Sequence, residues 1–141
     1  MNASDLWSSW VNYAGNVPDL SQLKKISNDY NLPLIEDNAH GFGGEYSGKA
    51  LGSFGHFSTL SFHSTKNFQC GEGGALVLNS LDYVERAEII REKGTNRKKF
   101  ISGDIQKYEW IEKGSSYLMA EVLASLIYTQ ILEFRNIQEN R

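Results

Sequence analysis

Leu32-Pro33-Leu34-Ile35-Glu36-Asp37 is a short apolar run ending in two carboxylates, and it follows a stretch whose apolar residues recur at helical spacing. Pro18-Asp19 opens that stretch, Asp19 is a suitable N-cap, and Leu20, Leu23 and Ile26 mark one face. The helix is expected to end around Asn31, because Pro33 cannot continue it. Ahead of it, Trp10-Val11-Asn12-Tyr13-Ala14-Gly15 reads as a short strand closed by a glycine turn. Strand, helix and strand in succession make a βαβ unit, which commits the chain to parallel strands and a right-handed crossover. The expected fold class is therefore α/β, with a mostly parallel sheet flanked by helices.

Further along, Gly41 to Gly55 holds six glycines in fifteen residues and reads as an irregular connection. Phe57 to Phe62 and Ala75 to Asn79 read as strands of ordinary length. Ser80 to Lys93 reads as an amphipathic helix with Leu81, Val84, Ala87 and Ile90 facing inward, stopped by Gly94. Thr95 to Ser116 is polar, aromatic and irregular, which suggests a functional loop. Arg97-Lys98-Lys99 within it reads as a solvated basic turn. Leu118 to Asn136 is expected to be a last helix, with an apolar face at Leu118, Val122 and Leu126 broad enough to seek a partner surface.

The run Ser61-Phe62-His63-Ser64-Thr65-Lys66-Asn67 closes one of these strands, and Gly71-Glu72-Gly73-Gly74 precedes the next. A lysine just past the C-terminal end of a strand lies where α/β folds place their ligands. By position alone a lysine is an exposed surface residue. Its chemical use in such a place is Schiff-base formation, which needs a neutral amine, and pyridoxal phosphate (PLP) is the cofactor that most often demands it. That cofactor also needs an acidic partner for its ring nitrogen, and Asp37 ends a strand expected to neighbour that of Lys66. Glu36 is expected to face the opposite side of the strand, because adjacent residues alternate. The glycine turn is neither a P-loop nor a dinucleotide fingerprint, since a strand follows it where those motifs need a helix N-terminus.

Glu36-Asp37-Asn38-Ala39-His40, then Ser61-Phe62-His63 ahead of Lys66, then Gly71-Glu72-Gly73-Gly74, resemble in order and spacing the signature of the DegT/DnrJ/EryC1/StrS sugar aminotransferases. The resemblance implies the large domain of the type I PLP-dependent transferase fold. It implies Lys66 as the residue forming the Schiff base and then moving the substrate proton, Asp37 holding the pyridine nitrogen protonated, His40 approaching the cofactor ring, and Ser61 donating to its phosphate. His63 matches a family histidine near the site. A related group of dehydratases replaces the lysine with histidine, and Lys66 argues against that chemistry.

Arg86 to Arg97, then Lys107-Tyr108-Glu109-Trp110 and Gly114 to Met119, are similar to the dTDP-4-amino-4,6-dideoxygalactose transaminases of that family. This implies amino transfer from glutamate to C4 of a 4-keto-6-deoxy sugar nucleotide, for surface-polysaccharide sugar biosynthesis, with Asn96, Arg97, Tyr108 and Tyr117 as candidate substrate contacts. It also implies a homodimer whose second subunit completes the site. Many relatives carry histidine where Asn12 stands, asparagine where Ser116 stands and arginine where Leu118 stands. The resemblance spans residues 11–141 and only the middle portion of family members, so the chain is expected to be a fragment of the PLP-binding large domain. An N-terminal part and a small C-terminal domain are expected beyond it, and residues 1–10 are uninformative. The alternative is a catalytically incomplete relative or a non-catalytic binding module of the same fold.

Composition sets outer bounds. The 141 residues suit one ordinary domain, and 40% hydrophobic with 22% charged residues is the balance of a soluble globular protein. A net charge of -3 with no basic stripe gives no reason to expect nucleic acid, and no apolar run approaches membrane-spanning length. Cys70 is the only cysteine, which rules out an internal disulfide, and a cytoplasmic location is the default expectation. His40, His56, His63 and Cys70 share no compact ligand spacing, so no metal site is expected.

Overall fold

A computed structural model describes residues 6–140, which form two units. Residues 6–79 with 121–140 make the first, and residues 80–120 make the second. The first unit is built on four strands, β1 (Ser8–Val11), β2 (Leu34–Asp37), β5 (Phe57–Ser61) and β6 (Gly74–Leu78), in the order β1-β2-β5-β6. The pairs β1·β2 and β2·β5 are parallel, and β6 runs antiparallel to β5. The architecture is thus α/β with a mostly parallel mixed sheet, as expected. Register places Val11 beside Asp37 and Asp37 beside Thr59, so β1, β2 and β5 end at one rim. Two bonds continue the ladders past the strand ends, Asn12 N–H to Asp37 O and Asn38 N–H to Thr59 O, both at 2.9 Å.

Helix α1 (Leu20–Tyr30) supplies the crossover between β1 and β2. Asp19 caps it, its Oδ1 accepting from Ser21 N at 2.9 Å and Gln22 N at 3.1 Å, and Asn31 ends it in the left-handed region at φ 51°. Trp10, Leu20 and Leu34 form the buried cluster between helix and sheet, joined by Val17, Leu23 and Phe54. Ile26 is exposed and Ser27 is buried in its stead, the Ser27 hydroxyl donating to Leu32 O at 2.6 Å. The expected strand from Trp10 to Gly15 is shifted: β1 stops at Val11, and Tyr13–Gly15 is a 3-10 turn. The glycine-rich connection is less irregular than its composition suggests. It contains the hairpin β3 (Glu45–Tyr46) and β4 (Lys49–Ala50), with Ser47 at φ 51° and Gly48 at φ 73°, the paired positive angles that suit a two-residue hairpin turn.

The expected last helix is divided into α4 (Glu121–Leu132) and α5 (Phe134–Glu139). Ile127 is its buried residue, whereas Leu118, Val122 and Leu126 are exposed. Apolar side chains go nearly all the way around this helix, so spacing alone could not select the inward one. Phe134 of α5 stacks on the buried Phe68 at 5.0 Å, and Phe42 meets Phe62, Phe68 and Phe134 edge-on.

In the second unit the expected helix from Ser80 begins as a 3-10 turn, Leu81–Tyr83, and becomes α2 (Val84–Arg91). Leu81 does not face inward: it is 88% exposed. The basic triplet opens a further helix, α3 (Arg97–Ser102), rather than a turn. Lys98 pairs with Glu88, Lys99 with Glu85, and Arg97 with Glu92 at 3.4 Å. Isolated bridges Thr95↔Trp110 and Glu92↔Ser116 tie down the remainder of the expected loop. Gly94 is required there, since a Cβ on it would lie 1.8 Å from Glu112 O. No helix among the described residues is long and apolar enough to cross a membrane.

Bonds from the Ser21 hydroxyl, the Gln22 backbone and the Gln22 side chain hold the Asp19 carboxyl below the ordinary carboxylate range. A depressed value means that the capping contribution is fully present above the unfolded-state pKa and lost as pH falls through the folded one. The amide proton shifts of Ser21 and Gln22 are therefore expected to titrate with a midpoint below the ordinary aspartate value. An Asp19→Asn variant should show no such titration, and equal titration in both proteins would refute the cap.

Candidate active site

Asp37 is the last residue of β2 and is half-buried, with its Oδ1 accepting Ala39 N–H at 3.1 Å. Its neighbour Glu36 points to the other face of the strand, as alternation requires, and is fully buried. Glu36 Oε1 accepts from Gly52 N at 2.6 Å and Asn12 Nδ2 at 2.8 Å. Its Oε2 accepts from Phe54 N at 3.0 Å and Gly55 N at 3.4 Å. A buried carboxylate ordinarily needs a cation, and here four N–H groups take that role. Asn12, also fully buried, accepts from Trp10 Nε1 at 2.9 Å and donates to Asn38 Oδ1 at 3.0 Å. The two residues flanking Asp37 are thereby anchored beneath the rim.

Lys66 lies in the loop beyond the end of β5, the strand that pairs with β2. Its loop is bound tightly: Lys66 N–H bonds to His63 O at 2.9 Å, Ser64 N–H to Gly71 O at 2.9 Å, and Cys70 N–H to Phe62 O at 2.9 Å. The buried Phe68, two residues on, sits in the aromatic cluster, and the Gln130 side chain of α4 bonds both Gln69 N and Gln69 O. The consequence shows in exposure. Of nine lysines in the chain, eight are exposed and Lys66 alone is half-buried. Among the described residues, neither Lys66 nor Asp37 is in an ion pair.

Ser61 ends β5 at the same rim, its Oγ accepting His63 N–H at 3.4 Å. His63 Nδ1 accepts Thr65 N–H at 3.2 Å, which leaves the ring proton on Nε2, 3.7 Å from Glu72 Oε1. His40 is exposed just beyond β2 and stacks on Tyr13 at 5.1 Å. The structure thus brings Asp37, His40, Ser61, His63 and Lys66 to one rim of one sheet. Among the described residues no group of three or more His, Cys, Asp or Glu side chains is placed to hold a metal.

The other candidate contacts belong to the second unit. Asn96 is buried, with its Nδ2 donating to Lys107 O at 3.2 Å and its Oδ1 accepting Glu109 N–H at 2.8 Å. Both ends of its amide brace the loop, a structural use that the sequence did not suggest. Arg97 is held by Glu92, Tyr108 contacts the rings of Phe100 and Trp110, and Tyr117 is exposed. Sequence reasoning missed Trp10, Asn12 and Tyr13 as parts of the rim. Their position directly after an apolar run that precedes a crossover helix was the available signal.

Solved aminotransferases share this α/β fold with its mostly parallel mixed sheet. The chain belongs to the DegT/DnrJ/EryC1/StrS aminotransferase family, whose profile matches residues 9–141. It is 31% identical to a UDP-4-amino-4,6-dideoxy-N-acetyl-beta-L-altrosamine transaminase of Campylobacter jejuni, an alignment covering 99% of this chain and 36% of that protein. Helicobacter pylori PseC, an aminotransferase involved in the biosynthesis of pseudoaminic acid, superposes with a TM-score of 0.78 at 28% identity, over 89% of this chain and 32% of that one. An aminotransferase from Psychrobacter cryohalolentis gives a TM-score of 0.83 at 25% identity, over 96% of this chain and 35% of that one. The chain spans about a third of the length of the curated relatives it matches, such as the 36% covered in the Campylobacter protein.

Removing the Glu36 carboxylate leaves the Gly52, Phe54 and Gly55 amides without a buried acceptor. Glu36→Ala is expected to lower stability by about 3 kcal/mol or more. The comparison is the urea midpoint followed by circular dichroism, and a midpoint equal to wild type would show that these bonds do not hold the loop.

Proposed function

We propose that this chain contributes the PLP-binding rim of a sugar-nucleotide aminotransferase, which transfers an amino group from glutamate to C4 of a 4-keto-6-deoxy sugar nucleotide. The single observation that carries the reading is the partial burial of Lys66, alone among the lysines, on the loop that follows the strand beside the one ending in Asp37. A strand-end carboxylate and, on the loop beyond the adjacent strand, an amine, neither of them in an ion pair among the described residues, fit a ring with a basic nitrogen on one side and a carbonyl on the other. Bound PLP supplies an electron sink for the carbanion formed at the substrate carbon.

This chain's residues do the rest. Asp37 keeps the pyridine nitrogen protonated through its negative charge. Lys66 holds the cofactor through its ε-amine and, once released, carries a proton to or from the substrate carbon. Ser61 Oγ has its hydrogen available for the phosphate, since it acts as acceptor toward His63 N–H. His40 stands against the ring, and His63, anchored by Thr65, lines the rim. In the second unit Arg97, Tyr108 and Tyr117 are proposed to meet the sugar nucleotide, with Asn96 bracing their loop.

The similarity to transaminases of dTDP-linked sugars and the UDP-linked transaminase relative agree on C4 and on the 6-deoxy sugar, and differ in the nucleotide. The proposal is kept to the class they share. Cytoplasmic synthesis of surface-polysaccharide precursors, by a homodimer in which a second copy completes the site, accompanies this reading.

Adding PLP to the purified chain and reducing with borohydride should leave a pyridoxyl group on Lys66, located by peptide mass mapping. Lys66→Ala should abolish the adduct at that peptide. A wild-type chain that captures no PLP would support the non-catalytic alternative, and capture persisting in Lys66→Ala would refute the lysine assignment. In an enzyme carrying this rim, Asp37→Ala is expected to lower kcat by about a hundredfold or more, and a near-normal kcat would remove Asp37 from the reaction.

A further inference from the structure

We propose that Tyr13 is a positioning residue of this rim, acting through His40. The inference rests on the reading of the rim as a PLP site. Its foundation is the end of β1, where Asn12 is fully buried and bonded to Trp10, Glu36 and Asn38 through its side chain and to Asp37 O through its backbone. That anchoring fixes where the next residue leaves the sheet. The chain then reverses within the Tyr13–Gly15 turn, with Ala14 at φ 52° and Gly15 at φ 78°. A left-handed alanine is unfavourable without outside support, and such residues persist where surrounding bonds over-determine the backbone. Here Gly15 N–H bonds to Asn12 O at 3.1 Å, while Asn16 donates to Tyr13 O from both its backbone at 2.9 Å and its side chain at 3.2 Å.

What this rigid turn presents is an aromatic ring that is 69% exposed. Hydrophobic burial does not account for its placement. The Tyr13 ring lies against His40, centroids 5.1 Å apart and planes inclined by 26°. The two rings come from the ends of different strands, β1 and β2, and meet above the rim where Asp37 ends its strand. His40 itself follows the anchored Asn38, and Gly41 N–H bonds back to Asn38 O at 3.2 Å. Both backbones are therefore held, and stacking sets the remaining freedom, the plane of the imidazole. A histidine whose plane is fixed before the cofactor arrives loses less freedom on binding it.

The test compares Tyr13→Ala, Tyr13→Leu and Tyr13→Phe with wild type, alone and in a His40→Ala background, by PLP titration and by NMR of the His40 ring protons. Tyr13→Ala and Tyr13→Leu should both lose the ring-current shift at His40 and weaken PLP binding by about three- to tenfold. Tyr13→Phe should retain both properties. In His40→Ala, removing Tyr13 should change PLP affinity no further, which a general effect on folding would not reproduce. Wild-type affinity in Tyr13→Ala, a Phe variant as impaired as the Ala variant, or an undiminished Tyr13 effect without His40 would each overturn the proposal. Failure of the wild-type chain to take up PLP would overturn the cofactor reading and this proposal together. Normal uptake that ignores Tyr13 would overturn this proposal alone.

Discussion

A buried carboxylate with no cation beside it is the constraint on which the first unit depends. Glu36 cannot sit beneath the sheet rim as an ion unless donors are brought to it, and the backbone N–H groups of Gly52, Phe54 and Gly55 are those donors. Their arrival fixes the path of the glycine-rich connection. It also constrains where β5 begins, because Gly55 stands just ahead of that strand, separated from it by His56, and a Cβ there would lie 2.7 Å from Phe57 O. With β5 placed beside β2, the loop that leaves β5 emerges next to Asp37. The position of Lys66 thus follows from bonds made on the opposite face of the sheet.

The features that rest on local chemistry were legible in the residues. Asp19, Asn31 and Pro33 delimit α1 because capping and termination involve groups a few residues apart. The motifs around Asp37 and Lys66 were legible for the same reason, each being a short run at a strand end. Features that need a distant partner were not. Asn12 reads as part of a strand until Glu36 and Asn38 draw its side chain inward, after which the chain turns and β1 has ended. The β3–β4 hairpin was hidden by strands of only two residues, although Ser47-Gly48 is a reasonable hairpin turn.

The second unit gives the same lesson through charge. Arg97-Lys98-Lys99 reads as a solvated turn because nothing nearby in sequence neutralises it, yet α2 presents Glu85 and Glu88, and its C-terminal end Glu92, to these residues. Each such surface pair contributes little alone. Three side by side, with Thr95 and Asn96 buried at the turn between the helices, give α3 a reason to form that composition does not show. Lys99 reflects this arrangement, its amine held above the ordinary lysine range by the bond to Glu85. That arrangement favours the charged form of the amine.

Lys66 has no such carboxylate among the described residues, and in the proposed reading that contrast separates a structural lysine from the one that holds the cofactor. The same division runs through the adjacent carboxylates. Glu36 and Asp37 are neighbours in sequence, but strand alternation sends them to opposite faces, where one meets four donors and the other meets the Ala39 N–H. A carboxylate saturated by donors has no further capacity to bind a ring nitrogen, whereas one with an oxygen to spare does. The saturated neighbour holds the strand, so the unsaturated one keeps its direction with the Ala39 N–H as its one bond to the protein among those described. In the proposed site Glu36 would supply the precision and Asp37 the chemistry.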